Sequence, residues 1–144
     1  MTNFPKPTDE DVLSLLDDSR EALLELAEEM KISNLNEDFL KEIVIPISLF
    51  LNQQFSKHTR PYFICFTGGQ GSGKTTLSFF IQKVLNEVCG RPAMGFSIDD
   101  IYKSQEERRS LADSIHPLCY VRGVPGTHDI DTVSYTHLRA HETV

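Results

Sequence analysis

Apolar residues recur along the first part of the chain with the period of a helix. From Thr8 onward, Val12, Leu15, Leu16, Leu23, Leu26, Ala27 and Met30 fall at spacings of three, four and seven, which stacks them on one face. Pro7 precedes this segment and Thr8 can cap it, with Asp9, Glu10 and Asp11 in the first turn, where the helix dipole favours anions. Glu21, Glu25, Glu28 and Glu29 then form the solvated face. A second apolar segment runs from Phe39 to Phe55 and contains Pro46, which lacks a backbone donor. The pattern predicts a break there, with Pro46 opening a new helix along whose one side lie Ile47, Phe50, Leu51 and Gln54. Residues 1–60 thus read as a helical packing layer.

The pattern changes at Pro61. Tyr62-Phe63-Ile64-Cys65-Phe66 is a short, almost wholly apolar run, as expected of a strand buried on both faces of a parallel sheet. After a glycine-rich stretch, Leu77, Phe80, Ile81, Val84, Leu85 and Val88 return to helical spacing until Gly90 supplies a C-terminal stop, with Pro92 beyond it. Met94 to Ile98 reads as a second strand, and Ser104-Gln105-Glu106-Glu107 as a capping box opening a short helix through Leu111. Strand, glycine loop, helix and strand in this order predict an α/β fold with a parallel sheet and flanking helices, preceded by a helical N-terminal extension.

The glycine loop carries the clearest chemistry. Gly68 to Thr75 matches G-x-x-x-x-G-K-[ST]. Glycines let the backbone curl so that successive N–H groups converge on phosphate oxygens, and Cβ atoms would obstruct that approach. Gly68, Gly69, Gln70, Gly71, Ser72, Gly73, Lys74, Thr75 and Thr76 are therefore the expected nucleotide-binding residues. Lys74 brings a point charge to the β- and γ-phosphates, and the Thr75 hydroxyl is a hard oxygen ligand suited to Mg²⁺. The following helix points its N-terminal dipole at the same place.

Asp99 and Asp100 follow the second expected strand. The carboxyl ends of strands form the ligand crevice in open α/β sheets, so this pair is expected near the phosphate loop. A carboxylate there can take the proton of an attacking hydroxyl or hold Mg²⁺ through water; the alternative is that the pair caps a following helix. Further on, Val121 to Asp129 is a glycine- and proline-punctuated run with a cation, an imidazole and a carboxylate, consistent with substrate contacts or with an ordinary turn.

Composition narrows the field. The 144 residues carry 14 Lys and Arg against 21 Asp and Glu, a net charge of −7, which disfavours nucleic-acid binding through bulk charge. Most of the excess acid lies in residues 1–60, leaving 61–144 nearly neutral and less repulsive to an anionic small molecule. Cys65, Cys89 and Cys119 have no close pairing or metal-type spacing and read as buried or free thiols in a reducing compartment. The start of the chain lacks the features of a signal peptide, and no stretch of about 20 apolar residues occurs, so a cytoplasmic protein without membrane contact is expected.

Gly68 to Thr75, then Ser97-Ile98-Asp99-Asp100-Ile101-Tyr102, then Arg122-Gly123-Val124-Pro125-Gly126-Thr127-His128-Asp129 together resemble the D-glycerate 3-kinase family of P-loop kinases, related to uridine kinase, phosphoribulokinase and pantothenate kinase. The resemblance covers about residues 61–132. It implies ATP-dependent phosphorylation of a hydroxyl on a small acid, D-glycerate first, with ATP and Mg²⁺. It implies Asp99 and Lys74 as catalytic residues, and Asp100, Tyr102, Arg122, His128 and Asp129 as contacts to the acceptor. Arg122 can pair bidentately with a carboxylate, which suits glycerate. The alternative reading is an ATP-binding regulatory or NTP-hydrolysing protein on the same fold. Later strands, a second Mg²⁺-positioning acid and a cationic lid do not follow, so the resemblance implies an apparently truncated, inactive N-terminal half. Residues 133–144 continue none of the pattern and resemble translated sequencing-adapter read-through; His137 and His141 stand four apart without a third metal ligand.

Overall fold

A computed structural model of the chain describes residues 7–58 and 61–130. The tail expected at 133–144, with His137 and His141, lies outside the described residues. The chain forms two compact units, the first ending at Gly95 and the second beginning at Phe96.

In the first unit, helix α1 (Asp9–Glu29) starts where its sequence predicts, with Thr8 Oγ1 accepting the backbone N–H of Asp11 at 3.1 Å. Val12, Leu16, Leu23 and Ala27 are its buried apolar line, joined by Ser19. The helix ends without glycine. Lys31 adopts a left-handed φ of 56°, and the N–H groups of Lys31 and Ile32 return to the carbonyls of Glu28 and Ala27 at 2.9 and 2.8 Å.

The expected break at Pro46 takes an unexpected form. Helix α2 (Glu37–Phe39) runs into a π-helical turn (Leu40–Val44) and on into helix α3 (Ile45–Phe55), so helical backbone is continuous through the proline. The wide turn sends the Ile45 N–H to the Leu40 carbonyl five residues back. Pro46 then stands in the first turn of α3, where its missing donor and fixed φ are tolerated. The buried line of α3 is Ile45, Ser48 and Leu51, while Ile47, Phe50 and Gln54 are half-buried. Of the face expected from Ile47, Phe50, Leu51 and Gln54, Leu51 is in the core and Ile47 and Phe50 pack against it, while Ile45 and Ser48 extend the buried side.

Helix α4 (Lys74–Lys83) follows the glycine loop and continues as a second π-helical turn (Val84–Val88) before Gly90, at φ 61°, ends it. Phe80, Ile81, Val84 and Leu85 are buried, and they share one core with Leu23, Leu40, Val44, Ile45 and Leu51. Phe39 meets Phe80 edge-on, ring centroids 6.2 Å apart. At the rim, Lys83 Nζ reaches Glu87 at 2.6 Å and Glu25 of α1 at 3.8 Å. Arg91 ties the end of this segment to α3, its Nε donating to Asn52 Oδ1 at 2.7 Å and a terminal nitrogen to Ser56 Oγ at 3.0 Å.

The expected strands at 62–66 and 94–98 form no ladder among the described residues. Tyr62, Phe63 and Ile64 are exposed, as are Met94, Phe96 and Ile98. An extended apolar run becomes a buried strand only beside hydrogen-bonding neighbours.

The second unit contains a 3₁₀ turn (Ile98–Ile101), helix α5 (Gln105–Ser114) and a 3₁₀ turn (Pro117–Tyr120). The predicted capping box opens α5: Glu107 N–H donates to Ser104 Oγ at 3.2 Å, and Ser104 N–H to Glu107 Oε2 at 2.8 Å. The helix runs past the expected end at Leu111 to Ser114. Arg108 fastens its outer side, donating to the carbonyls of Lys103 and Tyr120 at 3.1 and 2.8 Å.

Candidate active site

The glycine loop of the first unit is closed around the amine of its own lysine. Lys74 Nζ donates to the Gly68 carbonyl at 2.9 Å and to the Gly69 carbonyl at 2.6 Å, with Ser72 Oγ at 3.5 Å. Two glycines make the curl: Gly71 and Gly73 have φ of 75° and 80°, and a Cβ on either would meet nothing within 4 Å. Left-handed backbone, not crowding, calls for glycine there. Gly68 differs, since its Cβ would stand 3.0 Å from Ser72 Oγ.

Gly73 is also the N-cap of α4, and its carbonyl accepts the Leu77 N–H at 2.9 Å. No side chain caps this helix. The N–H groups of its first turn therefore face outward beside the Lys74 amine, an arrangement that suits an anion with several oxygens. Thr75 is exposed in the same turn and Thr76 half-buried. These residues fit a nucleotide triphosphate, and the Thr75 hydroxyl is a suitable Mg²⁺ ligand. Among the described residues no group of three or more His, Cys, Asp or Glu side chains could hold a metal.

In the second unit, Asp99 and Asp100 lie in the 3₁₀ turn at 98–101. Ser97 Oγ accepts the Asp99 N–H at 3.1 Å, and the Asp100 carboxylate accepts the Ser97 N–H at 3.1 Å. Asp100 therefore does the capping that the sequence left open for the pair. The exposed Asp99 carboxylate makes no hydrogen bond or ion pair among the described residues.

The remaining sequence candidates converge on Tyr102. Its backbone forms an antiparallel bridge with His128, and the two rings stack with centroids 4.3 Å apart. The Arg122 guanidinium lies 5.5 Å from the Tyr102 ring centroid. Asp129 donates its N–H to the Ile101 carbonyl at 2.7 Å. His128 Nε2 is buried without a hydrogen-bond partner among the described residues. Nearby, the hydrogen bonds from Ser104, its hydroxyl first, hold the Glu107 carboxyl below its ordinary range, while burial and the charge of Asp129 oppose them. Thr127, which the sequence marks only as one member of the 121–129 run, is the fully buried residue of this group.

The chain is similar to several kinases. The uncharacterized kinase mug58 of Schizosaccharomyces pombe is 37% identical over 93 residues, covering 63% of this chain and 33% of that protein. The probable ATP-dependent kinase TDA10 of Saccharomyces cerevisiae is 42% identical over 74 residues, 49% of this chain and 26% of that protein. A uridine kinase of Lactiplantibacillus plantarum is 36% identical over 69 residues, 45% of this chain and 32% of that protein. The chain thus spans a third or less of the length of these curated relatives. No family model matches it, and no solved structure matches it significantly. No helix among the described residues is long and apolar enough to cross a membrane. All three of these relatives are named as kinases.

Proposed function

We propose that this chain carries the nucleotide-binding loop and the acceptor-contacting segment of an ATP-dependent small-molecule kinase built on a parallel α/β sheet, with D-glycerate or a similar small hydroxy acid as acceptor. The observation that carries the nucleotide half is the Lys74 amine held at the carbonyls of Gly68 and Gly69, on the first residue of a helix that no side chain caps. When bound, Mg²⁺ would neutralise phosphate charge, with Thr75 as its protein ligand. Lys74 and the loop N–H groups hold the β- and γ-phosphates. Asp99, the carboxylate free of the cap, takes the proton as the acceptor oxygen bonds to the γ-phosphorus and the bond to the β-phosphate oxygen breaks, releasing ADP.

The acceptor half rests on Arg122. It is exposed, lies against the Tyr102 ring and makes no ion pair among the described residues, so its paired N–H groups suit a carboxylate. Similarity to a uridine kinase favours a second reading, a nucleoside acceptor. The third, an ATP-binding regulatory or NTP-hydrolysing protein, leaves the Arg122 to Asp129 segment without a task.

Calorimetric titration of Mg-ATP into the chain and its Lys74→Ala variant tests the first half. Loss of charge-assisted contacts should weaken binding by roughly 10–100-fold. Equal affinity in the two proteins overturns the assignment of Lys74. Phosphate transfer from labelled ATP to D-glycerate, to uridine or to water then separates the three readings.

A further inference from the structure

We propose that Thr127 is a positioning residue of the acceptor loop, acting through Arg122 and His128; this rests on the reading of 122–129 as the acceptor-contacting segment. Thr127 has no exposed surface, so it cannot itself touch an acceptor. Its hydroxyl donates to the Val124 carbonyl at 2.6 Å and its N–H to the same oxygen at 3.2 Å. Its own carbonyl accepts the Lys103 N–H at 2.9 Å. One buried residue thereby closes the turn at 124–127 and fastens it to the backbone beside Tyr102.

The Asp129 N–H on the Ile101 carbonyl repeats the fastening two residues later. Tyr102 lies between the two fastened positions, and its ring is the surface on which His128 stacks. Arg122 and His128 stand on either side of the turn that Thr127 closes, with Gly123 and Gly126 at φ of 92° and 86° supplying the reversal. A threonine hydroxyl folded back on a carbonyl three residues earlier holds such a turn without help from a ligand. The backbone on which Arg122 and His128 are mounted is therefore held before any acceptor arrives, which is one condition for a pre-organised site.

Thr127→Val keeps the shape of the side chain and removes the donor, while Thr127→Ser keeps the donor. Arg122→Ala serves as the check on the loop itself. In proton NMR spectra of the chain, the ring-current displacement of the His128 imidazole protons by Tyr102 should persist in Thr127→Ser and collapse in Thr127→Val. In phosphoryl-transfer assays, Thr127→Val should raise the acceptor KM roughly tenfold, with ATP KM and kcat within about twofold of the parent, and Thr127→Ser should restore it. Parental NMR shifts and acceptor KM in Thr127→Val, beside a raised KM in Arg122→Ala, overturn the role of Thr127 and leave the loop reading intact. An acceptor KM unmoved by Arg122→Ala overturns the loop reading and the proposal with it. If Thr127→Val does not fold, Thr127→Ser decides: displaced imidazole shifts there overturn the proposal, and parental shifts and KM support it.

Discussion

The Asp100 carboxylate accepts the backbone N–H of Ser97 at 3.1 Å, closing the start of the 3₁₀ turn on itself. One of two adjacent carboxylates is thereby occupied with local structure, while the other is exposed and, in the proposed function, serves as the base. Asp99→Asn should lower phosphoryl transfer by about 10²–10⁴-fold with little change in ATP affinity, the usual worth of a general base. Asp100→Ala should instead destabilise the turn by about 1 kcal/mol. Steady-state kinetics beside thermal unfolding separates the two. Near-normal turnover in Asp99→Asn with a dead, fully folded Asp100→Ala would put the base on the wrong carboxylate.

The opening of α5 should respond to acid. Hydrogen bonds from Ser104 lower the folded-state pKa of Glu107 from its ordinary 4.5. A depressed carboxyl contributes stability that is present above the unfolded value and lost as pH falls through the folded one. Helicity in the second unit should therefore decline below pH 4.5, and Glu107→Gln should flatten that decline. NMR titration of the α5 amides checks both. An identical acid response in the variant would show that another group controls it.

Two buried serines should behave oppositely. Ser48 Oγ donates to the Val44 carbonyl at 2.8 Å, whereas the equally buried Ser19 Oγ has no hydrogen-bond partner among the described residues. A buried hydroxyl without a hydrogen bond is a net cost. Ser19→Ala should stabilise the first unit by up to about 1 kcal/mol, and Ser48→Ala should destabilise it by about 0.5–1 kcal/mol. Chemical denaturation of both variants gives the comparison, and a less stable Ser19→Ala protein would contradict it.

The end of α1 offers a third stability test. Lys31 carries a left-handed φ of 56° at the position where helices usually place glycine. Lys31→Gly should remove a strain of about 1 kcal/mol, partly offset by glycine's greater unfolded entropy. A melting temperature unchanged or lowered would mean that the lysine stem contributes packing that outweighs the strain.

What the sequence made legible was local. Thr8 and the Ser104–Glu107 box cap their helices because capping depends on neighbours within one turn. The curl of Gly68 to Lys74 is likewise written in adjacent residues. The π-helical turn at Leu40–Val44 was not legible, because proline's local penalty argues for a break. Burying Leu40, Val44, Ile45 and Leu51 in the shared core keeps the backbone helical through it. The stacking of Tyr102 on His128 was equally hidden: their backbone pairing joins segments separated by all of α5, and no local pattern announces such a partner. The strand patterns at 62–66 and 94–98 state only a tendency, which needs neighbouring strands to be realised.

The wide turn ahead of Pro46 makes the length of this segment a design parameter. Taking out one residue between Leu40 and Val44 would return the backbone to ordinary helical spacing and swing α2 by about 100° about the helix axis. Phe39 would leave the edge of Phe80, and Arg20 would lose Glu37, which its guanidinium now meets at 2.9 Å. The proline, no longer preceded by a slack turn, would press on the carbonyl four residues before it. Single-residue deletions at 40–44 should therefore be less tolerated than conservative substitutions at the same positions. The turn works as a spacer whose one surplus residue lets two helical stretches of fixed phase share a core.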